Sequence, residues 1–193
     1  MEHFERTLGI ICNSVRSIRE DEFNAIKQDC LETIKNGGKI ITSGLGKNVP
    51  ICEKFVGSLN SLGISAAFMH TNSAVHGDLG IVRDGDLVII LTKSGETTES
   101  VYLASLLEKR NCKIWLLSFS RDSKLYRELP NHLVIDLEHE GDEWNILPNN
   151  STVLNLIVLQ ELAMQIAKEL HPDIDVLRQN HPGGDIGEKL GDT

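Results

Sequence analysis

Apolar residues recur along the first 36 positions at the spacing of an α-helix. Phe4, Leu8, Ile11 and Val15 fall on one face, and Phe23, Ile26, Cys30 and Ile34 on another. Two amphipathic helices are therefore expected, ended by the glycines of "NGGK" at 36–39. The pattern then changes. "KIITSG" (39–44), "SAAFM" (65–69), "DLVIILT" (86–92), "CKIWLLSF" (112–119) and "HLVIDL" (132–137) read as strands. Several of them are too uniformly apolar to leave one face in water. Helical patterns lie between them at 48–62, 98–110 and 123–128, and a long one runs from Ser151 to Leu170.

Strands alternating with helices predict an α/β fold, a three-layer α-β-α sandwich around a mainly five-stranded parallel sheet. Ligands in such folds collect at the carboxyl ends of the strands. Residues 138–150, "EHEGDEWNILPNN", read as irregular, and the tail "QNHPGGDIGEKLGDT" carries glycine and proline too densely for regular structure. With no internal repeat or linker, residues 1–193 are expected to form one domain. Its parts are the N-terminal helices (1–36) and an α/β core with a C-terminal active-site tail (38–190).

Composition narrows the function. The 193 residues are 40% apolar and 24% charged, as in globular proteins. A net charge of −9 without a Lys/Arg cluster argues against a nucleic-acid partner. It leaves room for a small anion held by backbone dipoles. No segment approaches the roughly 20 apolar residues that span a bilayer. The start "MEHFERTLGIICNS" does not read as a signal peptide, so a cytoplasmic protein with no membrane partner is expected. Cys12, Cys30, Cys52 and Cys112 are scattered, with no C-x-x-C and no metal-like pairing with histidine. Free thiols and no metal site follow.

Three loops rich in glycine or hydroxyls follow strands. "TSGLGKN" (42–48) offers backbone N–H groups and a positive charge at Lys47, with Ser43, Gly44, Gly46 and Asn48 as further ligand contacts. "TKSGETTE" (92–99) places Thr92, Ser94, Gly95 and Thr97 in a turn that suits a phosphate monoester. Ordinary N-capping explains the same residues, with Glu96 and Glu99 favouring the helix dipole. "TNSAVHGDLG" (71–80) puts His76 beside the carboxyl-end face. Glu140 and His181 join them from glycine-bounded segments. Titratable groups around a phosphate pocket, without a Walker loop or a Mg²⁺-binding carboxylate set, point to proton transfer on a phosphorylated substrate.

The order "GLGKN", "HGDLG", "KSGETTE", "E…LPNNST" and "NHPGG" resembles the sugar isomerase (SIS) domain, and within it the arabinose-5-phosphate isomerases, over about residues 38–190. The resemblance implies an aldose–ketose isomerase interconverting D-ribulose 5-phosphate and D-arabinose 5-phosphate through an enediol. Its product would feed 3-deoxy-octulosonate synthesis for lipopolysaccharide or capsule. The implied catalytic set is Lys47, His76, Glu96, Glu140 and His181, with no metal and no cofactor. The implied assembly is a homotetramer whose sites are shared between subunits. Glu140 is expected as the base, its pKa raised by burial, and Glu96 is expected to face the sugar. His76 and His181 would move protons between oxygens, and Lys47 would stabilise the enediolate.

Asn48-Val49 replaces the small Ser-Gly pair usual in the family, and "GDEWNIL" replaces its usual Cys-Pro-Leu-Gly-Leu-Ala run. Substrate range is thereby less constrained than reaction type. The chain ends soon after His181, so the nucleotide-sensing CBS pair that most members append is expected to be absent. The alternatives are an isomerase of another sugar phosphate and a non-catalytic sugar-phosphate-binding regulator.

Overall fold

The structure, a computed structural model, describes residues 1–191. Helices α1 (Glu2–Arg16) and α2 (Glu20–Lys35) lead into β1 (Ile40–Gly44), α3 (Asn48–Ser61), β2 (Ala66–His70) and the short α4 (Thr71–Ala74). After a 3-10 turn (Asp78–Ile81) come β3 (Leu87–Leu91), α5 (Thr98–Leu107), β4 (Lys113–Ser118), α6 (Lys124–Glu128) and β5 (His132–Val134). The chain closes with α7 (Asn150–Leu170), α8 (Ile174–Asn180) and α9 (Gly184–Gly191). The five strands pair in parallel in the order β2-β1-β3-β4-β5.

The alternation of side chains across a strand explains the uniformly apolar runs. In β3, Leu87, Ile89 and Leu91 join a core layer with Ile26, Cys30, Phe55 and the buried face of α7. Val88 and Ile90 join the opposite layer with Leu103, Leu107 and Leu125. Both faces are covered, so neither needs polar residues. The outer edge of β5 is protected differently. Glu22 accepts the Val134 N–H at 3.0 Å, and Arg121, 2.6 Å from Glu22, donates to the Val134 carbonyl at 3.0 Å. An edge strand is thereby closed to further pairing.

Two expectations change. The tail is helical over most of its described length: Gln179 and Asn180 end α8, and Gly184–Gly191 forms α9. Asp173 caps α8 by accepting the Asp175 N–H at 3.0 Å, and Arg178 donates to the Leu190 carbonyl at 2.6 Å, tying α8 to α9. One glycine serves the packing: a Cβ on Gly187 would lie 2.6 Å from the His181 carbonyl oxygen. Asp192 and Thr193 of that tail lie outside the described residues. On α1 the helical period is right, but Ile10 and Ser14 are its buried residues, while Phe4, Leu8 and Val15 are exposed.

Asp86 locks the amino end of the sheet. It is buried, accepts the N–H groups of Lys39 at 3.0 Å and Arg83 at 2.8 Å, and pairs with the Lys39 ammonium. Burial pushes its pKa up, but Lys39 and the two N–H donors outweigh that, and the carboxyl titrates below the ordinary aspartate range. A depressed pKa stabilises the fold above the unfolded-chain value, and that contribution is lost as pH falls through the folded value. Asp86→Ala is expected to cost about 3 kcal/mol at pH 7 in urea unfolding. The gap to wild type should narrow below the ordinary aspartate range.

Candidate functional site

Three loops leave the sheet at one level. Gly44 of β1 is in register with His70 of β2 and with Leu91 of β3. With β2 and β3 on opposite sides of β1, a crevice is left outside the carboxyl ends of β1 and β3, where ligands bind in sheets of this order. The segment 45–47 and the turn 92–97 flank it.

The first loop depends on two glycines. A Cβ on Gly44 would lie 2.9 Å from the Asn48 Cβ, so α3 could not approach β1. Gly46, at φ 55°, turns the chain and leaves Lys47 exposed at the N-cap of α3. Asn48 is fastened on both sides: it donates to the Leu91 carbonyl at 3.4 Å and accepts from Asn155 of α7 at 3.0 Å. Ser43 is fully buried, its hydroxyl 2.9 Å from that of Thr71, so it braces the loop from within. Asn155 escaped the sequence reading. Its signal was a polar residue on the buried stripe of a long helix.

In the second loop Ser94 Oγ accepts the Glu96 N–H at 3.1 Å. The Thr92 and Thr97 hydroxyls lie 3.1 Å apart, which draws Thr97 away from capping α5; among the described residues no side chain caps that helix. Its first-turn N–H groups and dipole are thus left without a side-chain partner, an arrangement able to accept an anion. Thr92 is buried and supports the turn, while Ser94 is exposed on it. Gly95 holds φ 69° with Ser123 against it. Glu96 does not look into the crevice in this chain. Its carboxylate accepts the Lys124 N–H at 2.6 Å, capping α6, and lines a separate cleft of about 720 Å³ with Thr98, Tyr102 and Lys124.

Glu140 is fully buried. One carboxylate oxygen accepts the N–H groups of Asn149 at 3.0 Å and Ser151 at 2.9 Å, at the start of α7. The other lies 2.6 Å from the Lys93 ammonium. Its backbone N–H donates to Asn145, which sits in the left-handed region at φ 57°. The expected rise in pKa is corrected here. Burial does push it up, but the Lys93 ammonium and the Ser151 donors outweigh burial and hold it below the usual glutamate range. The loop that follows is ordered. Asp142 accepts the N–H groups of Trp144, Ile146 and Leu147 and leaves those three apolar side chains exposed.

The two histidines are placed differently. His76 is exposed and lines a cleft of about 370 Å³ with Thr71, Glu99 and Tyr102. His181 follows Asn180, which donates to the carbonyls of Asn60 and Ser61 at the far end of α3. Fourteen helical residues separate that end from Lys47, about 20 Å at the α-helical rise. One chain therefore gathers Lys47, Asn48, the 94–97 turn and, through α7, Lys93 and Glu140. His76 stands at the same carboxyl edge, beside Thr71 and the first turn of α5, whereas Glu96 and His181 are not gathered with them.

The SIS domain model matches residues 33–165. The chain belongs to the SIS domain family. Arabinose 5-phosphate isomerase KdsD of Escherichia coli K12 is 30% identical over 153 residues, 79% of this chain and 47% of that protein. An uncharacterised Helicobacter pylori protein is 31% identical over 172 residues, 89% and 52% respectively. The chain thus spans about half the length of the curated relatives it matches. Among solved SIS folds, a putative phosphosugar isomerase involved in capsule formation from Bacteroides fragilis superposes with TM-score 0.87 at 28% identity, covering 95% of this chain and 97% of that one. A protein of E. coli CFT073 in complex with arabinose 5-phosphate superposes at 0.86 and 26% identity, covering 94% and 95%.

Gly95 offers a direct check of the turn. A Cβ there would lie 2.2 Å from Ser123 Oγ, on a left-handed backbone. Gly95→Ala is expected to lose about 2–4 kcal/mol in chemical unfolding. Adding Ser123→Gly should recover the part due to contact and leave the part due to φ.

Proposed function

We propose that this SIS chain is an aldose–ketose isomerase that interconverts D-ribulose 5-phosphate and D-arabinose 5-phosphate. The observation that carries the reading is the level carboxyl edge, where an exposed lysine and an uncapped helix N-terminus flank one crevice beside an anchored carboxylate. Two comparisons support the substrate class: similarity to KdsD, and a fold neighbour in complex with arabinose 5-phosphate. The product would serve 3-deoxy-octulosonate synthesis for lipopolysaccharide or capsule. Among the described residues no helix is long and apolar enough to cross a membrane, and a cytoplasmic location is part of the proposal.

The phosphate sits on the Ser94–Thr97 turn and the first turn of α5, and its binding energy orients the sugar. Glu140 takes a proton from C1 of the ketose. The electron pair moves into the C1–C2 bond and leaves an enediolate at O2. Lys47 stabilises that charge. The same carboxyl returns the proton to C2 while the C1 hydroxyl loses its proton, which gives the aldose. His76 and His181 carry the proton lost by the C1 hydroxyl to O2, with Glu96 as an accessory acid or base once its bond to the Lys124 N–H opens. Glu140 is buried behind Lys93, so that ion pair opens before the proton moves.

His181 lies too far away to serve the crevice of its own chain, so a second copy delivers it. Exposed Phe4, Leu8 and Val15 of α1, with Val153, Ile157 and Met164 of α7, offer the apolar surface for association. A homotetramer with shared sites fits that requirement.

The test is incubation with ribulose 5-phosphate and an assay for the aldose. Turnover is expected in the wild type. Glu140→Gln should lose activity by at least about a hundredfold while keeping its circular dichroism and a cooperative unfolding transition. Near-wild-type turnover by that variant sinks the assignment of the base. Tight sugar-phosphate binding without turnover by the wild type points instead to a regulator.

A further inference from the structure

An ion pair beside the crevice joins a half-exposed loop lysine, which the sequence reading passed over, to the buried expected base. We propose that Lys93 is a positioning residue of this site. It holds the Glu140 carboxylate against the first turn of α7 and covers the oxygen that proton transfer uses. The inference rests on the reading of Glu140 as the proton-transfer group.

Each carboxylate oxygen has a distinct task. The oxygen shared by the Asn149 and Ser151 N–H groups is fixed by the helix start. Its partner faces the Lys93 ammonium at 2.6 Å, and no part of Glu140 is exposed. A substrate atom therefore reaches Glu140 only by displacing that ammonium. Lys93 is suited to being displaced: its side chain is 42% exposed, and its backbone adjoins Ser94 in the phosphate turn. A cation leaving Glu140 can follow an anion bound at that turn, so occupancy of the turn and exposure of the base become one event.

The other polar groups around Glu140 do not replace this contact. His139 accepts the Gly141 N–H at 3.0 Å, and Asp142 is engaged by the 144–147 backbone. Glu143 lines a different cleft with His3 and Arg6. From α7 the Asn149 and Ser151 N–H groups, the Ser151 hydroxyl and the positive helix end face the carboxylate. Among the described residues, Lys93 is thus the ionised side chain against it. Were it lost, burial would oppose an anion that keeps only the helix start.

Two measurements test the pair. In the pH profile of kcat/KM, Lys93→Met should move the acid limb to higher pH, because burial then dominates the carboxyl. Lys93→Arg should keep the wild-type limb. An unmoved limb in Lys93→Met overturns the proposal. Independently of turnover, urea unfolding of Lys93→Met, Glu140→Gln and the double variant forms a thermodynamic cycle. Coupling on the order of tenfold in the unfolding equilibrium is expected near pH 7. Additive single effects overturn the pairing even if the protein shows no isomerase activity. Full activity of Glu140→Gln overturns the reading of Glu140 itself, an outcome that the cycle separates from failure of the pair.

Discussion

The register of β1 with its two neighbours is the constraint on which the site depends. Gly44 stands level with His70 on one side and Leu91 on the other. Parallel pairing fixes that level, and a slip by one residue would exchange the two core faces of β1. Three loops with no sequence proximity are thereby started from one line. The two-layer core sets the register, since the alternate residues of each strand are committed to opposite layers. Core packing and ligand placement are consequences of one alignment.

Electrostatics along that line are divided between backbone and side chains. The 94–97 turn holds its hydroxyls in internal bonds, leaving α5 without a side-chain cap. Glu96 and Glu140, by contrast, are each placed against the start of another helix: Glu96 at α6, and Glu140 at α7. An acidic protein can thus present a positive concavity, because its carboxylates near the crevice are already matched to helix dipoles. Glu140 is matched a second time by Lys93, which makes its ionised form stable and its free form rare.

Much of this was legible in the chain. The five strands and the long α7 follow from periodicity, because both sheet faces are covered and a helix of 21 residues repeats its pattern often enough to be plain. The residues of the loops were also legible, since glycine at 44, 46 and 95 is demanded by close approach or positive φ. Direction was not. The periodic face of α1 is exposed, because period reports amphipathicity and not what covers it. The carboxylate of Glu96 turns to a helix that starts 28 residues later. The pairing of Lys93 with Glu140 spans 47 positions, which no local pattern carries. The tail misled for a related reason: Gly187 permits a close helix contact where glycine density alone reads as irregular chain.

The distance between His181 and Lys47 makes the central claim testable at the level of assembly. Lys47→Ala and His181→Ala should each be inactive alone. Coexpressed in one cell and purified as a hybrid, they should recover isomerase turnover, because a crevice with its own Lys47 then receives an intact His181 from the other copy. A hybrid that associates yet stays as inactive as its parents, beside an active wild type, would contradict a site completed between chains.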